Sequence, residues 1–149
     1  MNKLISAKFD NEFVRELLKQ KENGMLDFKQ KITSKEKIAK TLCAFANSDG
    51  GYIIIGISDK KIITGIDVEE ERYMVESANE EFCIPRVEII LDEIRVYNDK
   101  TIIEENENEK LLLLVEVKKT HGPMIFCRNK RGELKAYQRI NDQTLAISV

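Results

Sequence analysis

The pentapeptide Asn47-Ser48-Asp49-Gly50-Gly51 constrains this chain more than any other segment. Asn and Gly tolerate the left-handed conformations that close helices, so this concentration of turn-forming residues is a strong stop signal. Before it, Ile38, Leu42 and Phe45 recur at helical spacing; after it, Tyr52 opens an apolar run that reads as a buried strand to Ser58. A helix that hands over directly to a core strand demands a layered architecture of helices on sheet. The glycines also invite a phosphate-cradle reading, but nucleotide loops follow a strand and open a helix, the reverse of the order here. Asn47, Gly50 and Gly51 are therefore read as a structural turn, and no other nucleotide fingerprint is present.

The flanking segments extend the pattern. Phe9, Phe13, Leu17 and Leu18 predict an amphipathic helix over 10–21, ending near Gly24, so that an N-terminal helical segment at 1–21 precedes a domain at 22–149 and the two form one compact unit. Leu26 and Phe28 alternate with Asp27 and Lys29, as on a strand with one buried face. Thr33 and Glu36 have capping-box spacing for the helix that runs to Asn47. Asp59-Lys60-Lys61 reads as a turn into a second strand, Ile62 to Ile66, and a helix is expected over 68–83, halted by Ile84-Pro85. Val87 to Asp99 and Leu111 to Val117 read as strands around a solvated acidic loop, Glu104 to Lys110. Met124 to Cys127 and Leu134 to Ile140 form a hairpin about residues 129–132. The expected fold is one α+β domain with a single mixed sheet and helices mainly on one face.

Composition excludes several classes. The 149 residues carry 24 Lys and Arg against 26 Asp and Glu, a net charge of −2, which rules out a uniformly basic protein that coats a polyanion. No apolar run approaches the roughly 20 residues of a membrane span, and the N-terminus is too polar for a signal peptide, so a cytoplasmic protein without a membrane partner is expected. Cys43, Cys83 and Cys127 are about forty residues apart with one histidine, His121, in the chain, so they read as small buried hydrophobes and not as a zinc site or disulfide framework. The near-neutral total hides strong segregation. Asp67 to Glu109 holds 4 basic and 15 acidic residues, net −11, whereas Lys29 to Lys40 is +4 and Lys118 to Arg139 is +6. If the two basic stretches converge they can hold a phosphate backbone; otherwise they solubilise the surface.

Three groups of residues could carry chemistry. Asp27 and Lys29 share a strand face with Glu22 five residues before Asp27, and Asp59 supplies a third carboxylate if the two strands are neighbours. Carboxylates so placed can hold Mg²⁺ or Mn²⁺ beside a phosphodiester while a lysine offsets developing charge; the alternative is an ion pair on an exposed sheet face. Lys135, Tyr137 and Arg139 share one face of a strand, a pattern that suits stacking with phosphate contact as well as an ordinary solvent face. His121, in a turn before Gly122-Pro123, has no local ligand partner.

Taken in order, Leu26-Asp27-Phe28-Lys29, Ala44-Phe45-Ala46-Asn47-Ser48-Asp49-Gly50-Gly51-Tyr52, Gly56-Ile57-Ser58-Asp59, Ile63-Thr64-Gly65, Ile84-Pro85 and Tyr137-Gln138-Arg139-Ile140-Asn141-Asp142-Gln143-Thr144 resemble the Schlafen AlbA-like domain, from about Glu22 to Ala146. The resemblance implies an α+β domain that binds DNA or RNA without a required cofactor, found in microbes at the N-terminal end of longer regulator-like proteins; the sequence ends near where that domain is expected to end. Phosphate contacts are expected from Lys29, Lys31, Lys118, Lys119, Lys130, Arg131, Lys135 and Arg139, with Tyr137 among them. Animal Schlafen relatives include ribonucleases that use three carboxylates, and Glu22, Asp27 and Asp59 match those positions, with Asp27 in place of the usual glutamate. On that alternative the three carboxylates hold Mg²⁺ or Mn²⁺ and Lys29 supports the phosphate. A third reading is a dimerisation or adaptor domain that uses the amphipathic first helix to form a homodimer.

Overall fold

A computed structural model describes residues 7–98 and 109–148. The α+β class holds, but the strands divide between two sheets. The first has five strands: β1 (Ala7–Phe9), β2 (Leu26–Lys29), β3 (Gly51–Ile55), β5 (Ile89–Asn98) and β6 (Glu109–Val117), in the order β1-β5-β6-β3-β2. Only β2 and β3 are parallel, joined by helix α2 (Lys35–Asn47). The second has β4 (Cys83–Ile84), β7 (Phe126–Arg128), β8 (Leu134–Ile140) and β9 (Gln143–Ala146), in the order β4-β7-β8-β9. The hairpin about residues 129–132 forms as expected, but β7 pairs with the two-residue β4, and β8 with β9, which was not foreseen. Local turn chemistry fixes hairpins without fixing the sheet they join, which is why a single sheet was expected.

The apolar run of β3 is continuous because both of its faces are covered. Ile53 and Ile55 pack with Leu113, Val115, Leu42 and Phe45 on the side of α2 and α3 (Val68–Phe82). Ile54 faces the other way, toward Leu112, Leu114, the Val14 and Leu17 of α1 (Glu12–Leu17) and Leu18, which caps that helix. Helices thus lie mainly on one face, with short α1 closing the other. α2 is buried at six consecutive positions, Thr41 to Ala46, because the first sheet and α3 cover one side while β8 of the second sheet covers another. Its small residues Ala39, Cys43, Ala44 and Ala46 permit that close approach.

Several boundaries differ from expectation for identifiable reasons. α1 starts later, because Asn11 caps it by accepting from the Val14 N–H, and β1 precedes it. Val14 rather than Phe13 enters the core; Phe13 is exposed and meets Tyr52 edge-to-face with 5.0 Å between ring centroids. The cap of α2 is Ser34, not Thr33, with its hydroxyl accepting from Lys37 N–H at 3.2 Å. β3 ends at Ile55 where Gly56 takes φ +117°, and Ile62 to Ile66 contributes only the bridge Ile57 to Ile63. The expected acidic loop falls at 104–108 outside the described residues, while Glu109 and Lys110 already belong to β6.

Candidate nucleic-acid interface

Two clefts open near the carboxyl ends of the parallel strands β2 and β3, where open α/β sheets most often bind ligands. The first forms where the chain leaves β2 and turns into α2. Ile32 is buried in this loop and its N–H donates to the Glu71 carboxylate of α3 at 2.7 Å; Glu71 is itself 1% exposed. With the loop fixed in this way, Lys29, Lys31 and Lys37 line a cleft of about 140 Å³ together with the hydroxyls of Thr33, Ser34 and Thr41. Ile32 and Ile38 complete the lining, and no carboxylate is part of it.

The second cleft, of about 280 Å³, is lined by Lys21, Glu22, Phe28, Ser58, Asp59, Lys61 and Asp142. Glu22 accepts from the Phe28 N–H at 3.0 Å, covering the free edge of β2. Its carboxyl, partly sheltered and hydrogen-bonded to that of Asp27, has its pKa raised to about 7. Asp27 shifts the opposite way. Burial alone would raise it, but the hydrogen bond with Glu22 and the charges of Lys29 and Arg139 hold it below the usual carboxylate range. Asp59 thus shares a cleft with Glu22, as neighbouring strands require, and Asp142 joins them from the turn between β8 and β9. Lys61, at φ +60°, lies 5.5 Å from the Phe28 ring and donates to the carbonyls of Leu18 and Gln20, completing the end of α1.

Asp27 and Lys29 do share a strand face, and their ion pair is 3.1 Å long, but only the Lys29 end of that face is open to solvent. β8 lies over the rest. Arg139 Nη2 contacts Asp27 Oδ1 at 3.1 Å, Nη1 donates to Thr144 Oγ1 at 3.1 Å and Nε donates to the Asn23 carbonyl at 3.3 Å. The guanidinium stacks 4.9 Å from the Phe45 ring, and the Arg139 and Asp27 side chains are 3% and 5% exposed. Arg139, read from the sequence as a phosphate contact, is thus a strut between the two sheets. A metal does not fit the expected three-carboxylate set in this arrangement, because both oxygens of Asp27 face cations. Among the described residues, no three His, Cys, Asp or Glu side chains are placed to hold a metal ion.

The remaining candidates scatter. Tyr137 is half-buried against the core, with Lys40 Nζ 5.6 Å from its ring, while Lys135 beside it is exposed. Lys130 and Arg131 project from the β7–β8 turn, which Asn129 Oδ1 shapes by accepting from the Arg131 and Glu133 N–H groups. Lys118 pairs with Glu116 at 2.8 Å and Lys119 lies 3.9 Å from Asp49. Both follow β6 where it meets the start of β3, the opposite end of that strand from Lys29. The basic stretches around Lys29 and around Lys118 therefore do not merge. His121 is exposed in its turn.

The helix-to-strand turn has the structural role read for it. Asn47 Nδ2 donates to the carbonyls of Ile125 and Tyr137 at 2.8 and 3.0 Å, and its Oδ1 accepts from the Ile125 N–H at 2.8 Å. Gly50, at φ +72°, leaves no room for a Cβ, which would sit 2.7 Å from the Val117 carbonyl, and a Cβ on Gly51 would collide with Met25. The three cysteines are buried as expected but lie together, with Cys43 and Cys83 Sγ atoms 3.5 Å apart and Cys83 opposite Cys127 across the β4–β7 ladder. Sequence reasoning missed Lys37, whose position in the first turn of α2 was the available signal, and Glu71, whose partner is 39 residues away.

Residues 22–148 match the family described as Schlafen, AlbA_2, and the chain belongs to that family. Its fold is similar to that in the crystal structure of the DIP2311 protein from Corynebacterium diphtheriae, with a TM-score of 0.51 and 15% identity over 91% of this chain. The match covers 30% of that protein, so this chain spans less than a third of its length. Among the described residues no helix is long and apolar enough to cross a membrane.

Proposed function

We propose that this domain binds nucleic acid, DNA or RNA, and serves a regulatory role through that contact. The observation that carries this reading is the cleft where Lys29, Lys31 and Lys37 converge beside the Thr33 and Ser34 hydroxyls, which can donate to a phosphate; Lys29 and Lys31 would exchange their pairs with Asp27 and Glu70 for it. Lys130, Arg131 and Lys135 are exposed cations on the β7–β8 hairpin, outside the lining of this cleft, and family membership is consistent with the reading. Lys118 and Lys119 belong to a separate surface. Three phosphate contacts give a slope of log affinity against log salt of about −2 to −3. Anisotropy titrations of labelled single- and double-stranded DNA and RNA at several salt concentrations test this. Lys31→Glu with Lys37→Glu should abolish binding at moderate salt; binding to neither nucleic acid, or binding indifferent to salt, refutes the reading.

A metal-dependent ribonuclease is the second reading, favoured only by the cleft that Glu22 and Asp59 share; with Asp27 held between Arg139 and Lys29, those two carboxylates would have to serve without it. Structured RNA incubated with Mg²⁺ or Mn²⁺ tests it, with Glu22→Ala and Asp59→Ala as controls. Equal products from the wild type and both variants remove it.

A further inference from the structure

Tyr73 is the most exposed large hydrophobic side chain among the described residues, at 61%. It stands on α3, the helix whose Glu71 fixes the loop of the lysine cleft. Lys35, next to the cleft residue Ser34, holds its Nζ 5.0 Å from the centroid of the Tyr73 ring. One turn before Tyr73, Glu70 lies 3.9 Å from Lys31 of the cleft, and Glu81 lies 3.5 Å from Lys35. The aromatic ring and the cationic cleft are thus adjoining parts of one surface, tied by two ion pairs to α3, one from the loop after β2 and one from α2.

We propose that the Tyr73 ring stacks an unpaired nucleobase whose backbone lies in the Lys29, Lys31 and Lys37 cleft, so that the ligand of this surface is single-stranded nucleic acid. The inference rests on the nucleic-acid reading above and sharpens it. An exposed aromatic beside a cationic track is the combination that binds single strands, because every base offers a π-face whereas a base within a duplex is already stacked on both sides. The acids set the orientation. Glu70, one turn before the ring, pairs with Lys31 at the edge of the cleft, and Glu81 pairs with the Lys35 that lies against the ring; a bound strand exchanges the Glu70 pair for a phosphate, so the backbone takes the lysines and the base reaches Tyr73. A continuous duplex would bring phosphates on both strands toward this acidic rim.

The test is an anisotropy titration of a labelled homopyrimidine strand, as DNA and as RNA, and of a duplex of equal length, with wild type, Tyr73→Ala, Tyr73→Phe and the Lys31→Glu, Lys37→Glu pair. Wild type should prefer the single strand. Tyr73→Ala should weaken that binding by about 5- to 100-fold, and Tyr73→Phe should restore it because the ring face is kept. Thermal melts should coincide, since the ring is exposed. If Tyr73→Ala binds single strands like wild type, or loses single strand and duplex equally, the stacking proposal is overturned while the lysine variant still reports on the cleft. If wild type binds no nucleic acid, the functional reading fails and this inference with it.

Discussion

Replacing Arg139 with methionine probes the strut between the sheets. Methionine has comparable reach and no charge, so the variant leaves the Asp27 carboxylate buried while filling much of the space over Phe45. Removing one partner of a buried pair costs about 3–5 kcal/mol. Lys29 remains 3.1 Å from Asp27 Oδ2 and is 38% exposed, which sets the expected loss near the lower end, about 3 kcal/mol. For a domain of this length that corresponds to a melting temperature lower by about 6–12 °C. Urea unfolding should show a lower midpoint with an unchanged slope. The loss should also depend on pH. Asp27 is held below its ordinary value of 3.8 in the folded chain, so its contribution is present above that value and lost as pH falls through the folded pKa. Without Arg139 the folded pKa moves up, and acid unfolding should begin at higher pH. A double-mutant cycle with Asp27→Asn isolates the pair, with an expected coupling of about 1–3 kcal/mol. Additivity of the two substitutions within about 0.3 kcal/mol would refute the strut.

Other outcomes follow from the same geometry. Glu22 has its folded pKa raised from 4.5 to about 7, so its contribution is fully present below the lower value and is lost as pH rises through the upper one. Glu22→Gln should flatten the pH dependence of the urea midpoint across that window, and an unchanged profile would contradict the assignment. Asn47→Ala leaves Ile125 and Tyr137 backbone groups without partners and should cost about 2–3 kcal/mol in chemical unfolding; a loss below 1 kcal/mol, about that of an ordinary hydrogen bond, would mean water replaces the amide. The three buried thiols should react with a thiol-specific chromogen only at the rate of global opening, accelerating in urea, because the hydrogen bond with Cys43 and burial push the Cys127 pKa up. Rapid labelling of the folded chain would show that the cluster is open.

What the sequence disclosed depended on range. α3 was legible because its stop signal, Ile84-Pro85, is local; the structure adds the Asp67 cap, which accepts from the Glu70 N–H, and the inward stripe of Val68, Val75 and Ala78. The turn after α2 was legible for the same reason. Asp27 was misjudged because period-two alternation reports the pleat and not what lies over it; the residue that covers it is 112 positions away. The same limit hid Glu71, whose carboxylate is indistinguishable in sequence from its exposed neighbours Glu69 and Glu70. Joining the two basic stretches was an inference from charge alone. Strand register sends Lys29 and Lys118 to opposite ends of β3.

The placement of α2 between the two sheets governs how this domain can be divided. A helix on one sheet belongs to that sheet's layer and can fold with it, but α2 lends Leu42 to the first sheet's core and stacks Phe45 beneath the Arg139 of β8. Removing the strands after Val117 would strip that flank and uncover Asp27 along with Asn47 and the cysteines. The C-terminal hairpin is therefore no detachable appendage. Fragments and chimaeras that keep β2, α2 and β3 must carry it with them, and length changes are best absorbed at the exposed β7–β8 turn, where Gly132 has open space around it.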